Sequence, residues 1–168
     1  MMEEGGNVLK EFWVWLEYLP ISGYIGATWW FPLMESFHVV SITMMIGAIL
    51  MLDLRVLGLA AESYAVSRMS RELVPWSVAA FVVATLTGSA MFITRASAHV
   101  LNPAFQIKML LILVAGINIA IFHLRILRSV SRWETSTRAP VFARMVAGAS
   151  LLLWCGVMLA GRWVGHVI

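Results

Sequence analysis

Apolar residues run along the chain in four long blocks, at residues 32–59, 76–94, 104–126 and 141–167, separated by short links that carry arginines. Each block comes close to or exceeds the roughly 20 residues a helix needs to cross a bilayer. Inside lipid the backbone must satisfy its own hydrogen bonds, so each block is predicted as a helix. Prolines punctuate the starts. Pro32 opens the first block, Pro75 precedes the second and Asn102-Pro103 introduces the third. A shorter stretch over residues 7–20 places Val8, Phe12, Trp15, Leu16 and Leu19 at helical spacing, with Lys10, Glu11 and Glu17 away from most of them and Pro20 at its end. It is too short to span, and its aromatic content suits a helix lying at the membrane interface. Gly23, Gly26 and Trp29-Trp30 then read as a turn or short helix near the headgroups. The predicted fold is an all-α membrane protein. Residues 1–168 form a single integral membrane domain, a bundle of four transmembrane helices preceded by an N-terminal interfacial amphipathic helix.

Composition narrows the class. The chain is 61% hydrophobic and 12% charged, with a mean hydropathy of +0.85, which excludes disorder and an ordinary water-soluble enzyme. The polar residues 1–7 lack a basic start, so no cleaved signal peptide is expected. Cys155 is the single cysteine and no internal disulfide can form. The net charge of +3 reflects topology, and no nucleic-acid partner is expected. Arg55, Arg68 and Arg71 flank the first link, and Arg125, Arg128, Arg132, Arg138 and Arg144 the third. Only Lys10, Arg95, Lys108 and Arg162 lie toward the other side. The positive-inside rule puts both arginine-rich links in the cytoplasm of a multi-pass inner-membrane protein, with both termini periplasmic.

Ionisable residues at membrane depth are costly and mark candidate sites. At helical rise His38 lies roughly 25 Å above Arg55, and Arg162 roughly 27 Å above Arg144. Glu35, His38, Arg162, His166 and the nearby His99 therefore form an outer cluster, while His123 stands alone near the inner boundary. Imidazole is a standard haem ligand, and bundles build cofactor sites from inward-facing side chains. The leading expectation is a b-type haem on His38, with His166 or His99 as second ligand and Arg162 beside a propionate or Glu35. Gly47, Gly88, Gly116 and Gly156 offer close approach for helices or a flat macrocycle.

Other readings stand beside it. Glu35-x-x-His38 is a ligand pair used in bundle metal sites, which suggests a zinc, iron or copper ion. An ion or proton channel or transporter module would use Glu35, His38 and Arg162. An accessory subunit of a larger complex would carry no cofactor. In a purely structural role, Glu35 pairs with Arg162 and His38 is hydrogen-bonded nearby. Asp53 with Arg55 reads as a topology anchor with a local salt bridge, Asn118 as an interhelical hydrogen bond, and the methionines as apolar filler. Trp76 and Trp133 suggest an inner aromatic belt, and Trp154 packs mid-span. No nucleophile constellation, phosphate loop or nucleotide fingerprint occurs, so an enzymatic role is left open, with a membrane oxidoreductase as the class that fits.

The segments FPLMESFHVV, LDLRVLGL, LVPW, NPAFQIKMLLILVAGIN and LWCGVMLAGRW, with His123 following the fourth, resemble a family of small bacterial four-span inner-membrane proteins of unknown function. The resemblance places Glu35, His38, Asp53, Arg55, Asn102, Lys108, Asn118, His123, Arg162 and Trp163 in the family's motifs, and His99 and His166 at looser positions. It implies His38 and His123 as the primary haem or metal candidates. They sit some 20 Å or more apart, so one haem cannot join them. One or two haems per chain are expected, a layout similar to small di-haem b-type cytochromes. Such a layout would carry electrons across the bilayer between an unidentified donor and acceptor, in a homo-oligomer.

Overall fold

The computed structural model describes residues 2–134 and 139–166; Arg138, Val167 and the side chain of Val8 lie outside the described residues. The chain begins with α1 (Met2–Glu17) and α2 (Pro20–Ala27), the latter opened by the proline that stops the former. Both lie across one end of the bundle. The Trp13 ring meets Phe92 edge-on at 5.8 Å, and Ser22 Oγ donates to the Ile93 carbonyl at 2.9 Å. Leu9, Phe12 and Trp15 stay exposed, an apolar face turned away from the protein as an interfacial helix requires.

Four helices are long and apolar enough to cross a membrane. In α3 (Trp30–Leu57), Pro32 occupies the first turn, where a missing N–H costs nothing. The helix stops at Gly58, whose φ of 74° is left-handed. α4 (Val66–Ile93) starts well before the Trp76 boundary read from hydropathy, with Pro75 inside it. Its first turns carry Arg68, Arg71 and Glu72, so the helix continues beyond the apolar block into polar surroundings, and Pro75 is tolerated at the cost of one ladder bond. α5 (Ala96–Leu101) is a short bridge. α6 (Pro103–Ile121) is capped by Asn102, whose Oδ1 accepts from the amides of Ala104 and Phe105. It runs on through a π-helical turn, Phe122–Leu127. After a 3₁₀ turn at Val130–Arg132, α7 (Val141–Val164) returns.

The spanning helices form an open arc in the order α4, α3, α7, α6. α3 packs along α4 and against α7, and α7 packs along α6. Among the described residues α4 and α6 are not a packed pair. Small residues let the α3–α4 pair close: Ala80, Ala84 and Thr87 are buried on α4, and Ser41 and Met45 on α3. One core cluster, around Val56, Val66, Phe122, Ile126 and Ala147, fills the arginine-rich end. Trp133 belongs to this core at 8% exposure and is not part of an aromatic belt, because the 3₁₀ turn folds it back under α4. A smaller cluster of Met45, Ala80, Ala115, Trp154 and Val157 sits near mid-span.

Candidate functional site

Each of the four histidines points Nδ1 at a backbone carbonyl, but only His38 reaches a different helix. Its Nδ1 lies 2.8 Å from the Ala84 carbonyl and 3.1 Å from Thr87 Oγ1, both on α4. The Thr87 hydroxyl in turn donates to the Val83 carbonyl at 2.7 Å. A carbonyl only accepts, so the neutral ring carries its proton on Nδ1 and its lone pair on Nε2. Gly88 makes the seat: a Cβ there would stand 2.9 Å from His38 Cε1. The charged groups within electrostatic reach of the ring are the Lys108 ammonium and the Glu35 carboxylate. Lys108 comes from α6, and a Cβ placed on Gly161 of α7 would stand 3.7–3.8 Å from its Cδ, Cε and Nζ atoms. A single bundle position thus combines a cross-braced imidazole with a half-buried lysine.

The other candidates lie elsewhere. His99 bonds its own Arg95 carbonyl at 2.7 Å and joins an aromatic group with Phe92 and Phe105 at the capped end. His166 bonds the Arg162 carbonyl at 3.2 Å and is exposed beyond the end of α7. Glu35 and Arg162 are both exposed and do not pair, since each occupies an outward face where a long side chain reaches past the core. The one ion pair among the described residues is the exposed Arg68–Glu72 contact. No cluster of three His, Cys, Asp or Glu side chains suited to a metal ion occurs among the described residues.

Below mid-span the arc encloses a cavity of about 280 Å³. α4 and α6 form its two sides, with Val78 and Phe81 facing Gly116 and His123, and α3 and α7 form its back wall. The walls are largely apolar, but Asp53, Ser77, Asn118, Ser150 and Trp154 contribute polar groups. His123 sits in the π-helical turn and bonds the Ile119 carbonyl through Nδ1 at 3.0 Å, which leaves Nε2 free. Asn118 joins α6 to α7, donating to the Val146 carbonyl at 3.2 Å as its mid-span position suggested.

Asp53 departs from the sequence reading. It is not an anchor paired with Arg55; the residue is 4% exposed, with its carboxyl turned into the bundle and hydrogen-bonded to Ser150. Arg55 lies two residues on, about 200° around the helix, and its Nε donates to the Tyr64 carbonyl. Asp53 Oδ2 and Trp154 Nε1 are buried without a hydrogen-bond partner among the described residues. Sequence reasoning missed both this pair and Lys108 as site residues. Spacing from Asp53 to the buried face of α3 (Ser41, Met45, Leu52, Val56) was the available signal for the first. Lys108, five residues into an apolar helix, was the signal for the second.

No curated protein and no solved structure matches the chain. Residues 12–167 match DUF6644, a family of unknown function, and with the four apolar helices described above the chain belongs to that family of small four-span membrane proteins.

Proposed function

We propose that this chain is a haem-b-binding electron-transfer protein of the bacterial inner membrane that works as a homo-oligomer, with His38 as an axial ligand. The observation that carries the reading is the His38 seat: Nδ1 anchored on Ala84 of another helix and the ring set against Gly88. Histidines that ligate metals commonly donate their other nitrogen to a carbonyl, which fixes the ring and raises the basicity of the free nitrogen. Lys108, within electrostatic reach of the ring, would supply the cation a propionate needs. When bound, haem b provides one-electron redox chemistry. The His38 seat offers one axial nitrogen, Nε2. The cavity beside His123, at about 280 Å³, is at the low end for ligand pockets and suits a single ring better than a macrocycle. The proposal is therefore one haem per chain. The arginine-rich links face the cytoplasm, and the end carrying α1, α2 and α5 faces the periplasm.

The test is the spectrum of detergent-purified full-length protein from haem-replete cells, oxidised and dithionite-reduced, with a pyridine haemochrome assay. A b-type signal is expected, lost in His38→Ala and kept in His123→Ala. Colourless wild-type protein would overturn the reading in favour of ion or proton handling around Glu35, His38 and Lys108, with metal analysis as the next measurement.

A further inference from the structure

We infer that the cavity below mid-span is a second, separate site that takes a membrane-dissolved hydroxylated ring of the quinol class, entering sideways between α4 and α6. Asp53 and Trp154 both line this cavity, and each carries a buried polar atom without a hydrogen-bond partner among the described residues, Oδ2 and Nε1 respectively. A buried polar atom left unpaired is costly, and two in one cavity call for a common partner. An indole N–H only donates, so its partner must offer an acceptor. The Asp53 carboxyl accepts when ionised and also donates when protonated, so its partner must be able to meet either state. A hydroxyl group does both.

Competing occupants meet these demands less well. A bare cation offers nothing to the indole N–H, and Asp53 is the sole carboxylate in the lining. Water satisfies the two atoms, but filling about 280 Å³ takes about nine molecules at ~30 Å³ each, against walls that are mostly hydrocarbon. An acyl chain matches the walls and leaves both polar atoms unpaired. A flat ring with hydroxyls matches both, with Phe81, Phe122 and Trp154 as aromatic neighbours. The route is set by the arc, since α4 and α6 flank the cavity without packing on each other. On α3 the cavity extends from Met45 to Asp53, roughly 12 Å of helix, ending one to two turns from Gly58. An amphipathic ring dissolved in the bilayer resides at that depth.

The site shares no residue with the His38 seat, so each proposal can fail alone. The experiment uses the full chain in phosphatidylcholine nanodiscs and measures uptake, above that of empty nanodiscs, of a decyl-substituted hydroquinone and of the matching alkylbenzene that lacks both oxygens. Saturable uptake of the hydroquinone is expected, with the alkylbenzene at least about tenfold weaker. Trp154→Phe keeps the ring and removes the N–H, and should weaken hydroquinone binding about tenfold. Gly116→Leu is the blocking variant: a Cβ at Gly116 meets open space, so the added side chain fills the cavity without a backbone clash. It should abolish binding, whereas His38→Ala should retain it. Equal uptake of the two probes by wild-type protein overturns the inference without any variant, as does unchanged binding in Gly116→Leu or lost binding in His38→Ala.

Discussion

Replacing Gly88 by alanine tests the His38 seat against a matched control. Gly88 and Gly47 are both interior to spanning helices, α4 and α3 respectively. Either substitution removes glycine's helix penalty, a gain of about 1 kcal/mol. At Gly47 the new Cβ meets nothing within 4 Å, so that gain stands. At Gly88 the Cβ would lie 2.9 Å from His38 Cε1 and 3.3 Å from Nδ1. The ring cannot yield freely, because Ala84 and Thr87 hold it. Moving it forfeits a hydrogen bond worth about 1 kcal/mol and drives the side chain off its rotamer for about another 1 kcal/mol. Gly88→Ala should therefore end about 2 kcal/mol below Gly47→Ala. The assay is the unfolding midpoint in mixed micelles titrated with sodium dodecyl sulfate, followed by circular dichroism. Nitrogen NMR of the histidine ring reports the His38 tautomer in parallel. Two variants with the same midpoint and an unchanged His38 signal would refute the argument.

Asn102→Ala removes the cap of α6 and the 2.9 Å bond from its amide to the Val164 carbonyl, and should cost about 2 kcal/mol in the same titration. Glu17 accepts from both the amide and the hydroxyl of Ser97, at 2.8 and 2.7 Å, so Glu17→Ala should speed hydrogen exchange at the start of α5 and leave the spanning helices protected. Asp53→Leu replaces a buried carboxyl that has one unpaired oxygen with hydrocarbon and should raise the unfolding midpoint while abolishing hydroquinone binding. Arg162→Ala, at an exposed residue without an ion pair, should change stability by less than about 0.5 kcal/mol; a large loss would reveal a partner.

The fold was legible where one physical demand dominates. A membrane-crossing helix must be long and apolar, so the four spans appear in hydropathy, and Asn102-Pro103 marks the start of α6 because capping is a local interaction. The start of α4 was not legible, since Val66–Val74 is polar on one side and packs its Met69 against a core contributed by other helices. Pairing between side chains was harder still. Height along a helix is a sum of residues, and it brought Glu35 level with Arg162. Azimuth depends on how helices pack, and it turned both outward. The same rotation carries Asp53 inward and Arg55 away, so two neighbours that look like a salt bridge serve different surroundings. His38 was singled out on chemistry alone; Ala84 and Gly88, which hold it, lie 46 and 50 positions on and are silent in a single sequence.

The arc of helices also has a mechanical meaning. α3–α4 and α6–α7 are two hairpins bound along a single seam, where α3 meets α7, like two leaves on a spine. Their free edges, α4 and α6, are tied at one end by α5 and at the other by the 3₁₀ turn against α4. Whatever changes the sideways pressure of the bilayer on those edges changes the angle between the leaves. On the proposal made above, the width of the gutter between them then sets how readily a ring dissolved in lipid enters or leaves.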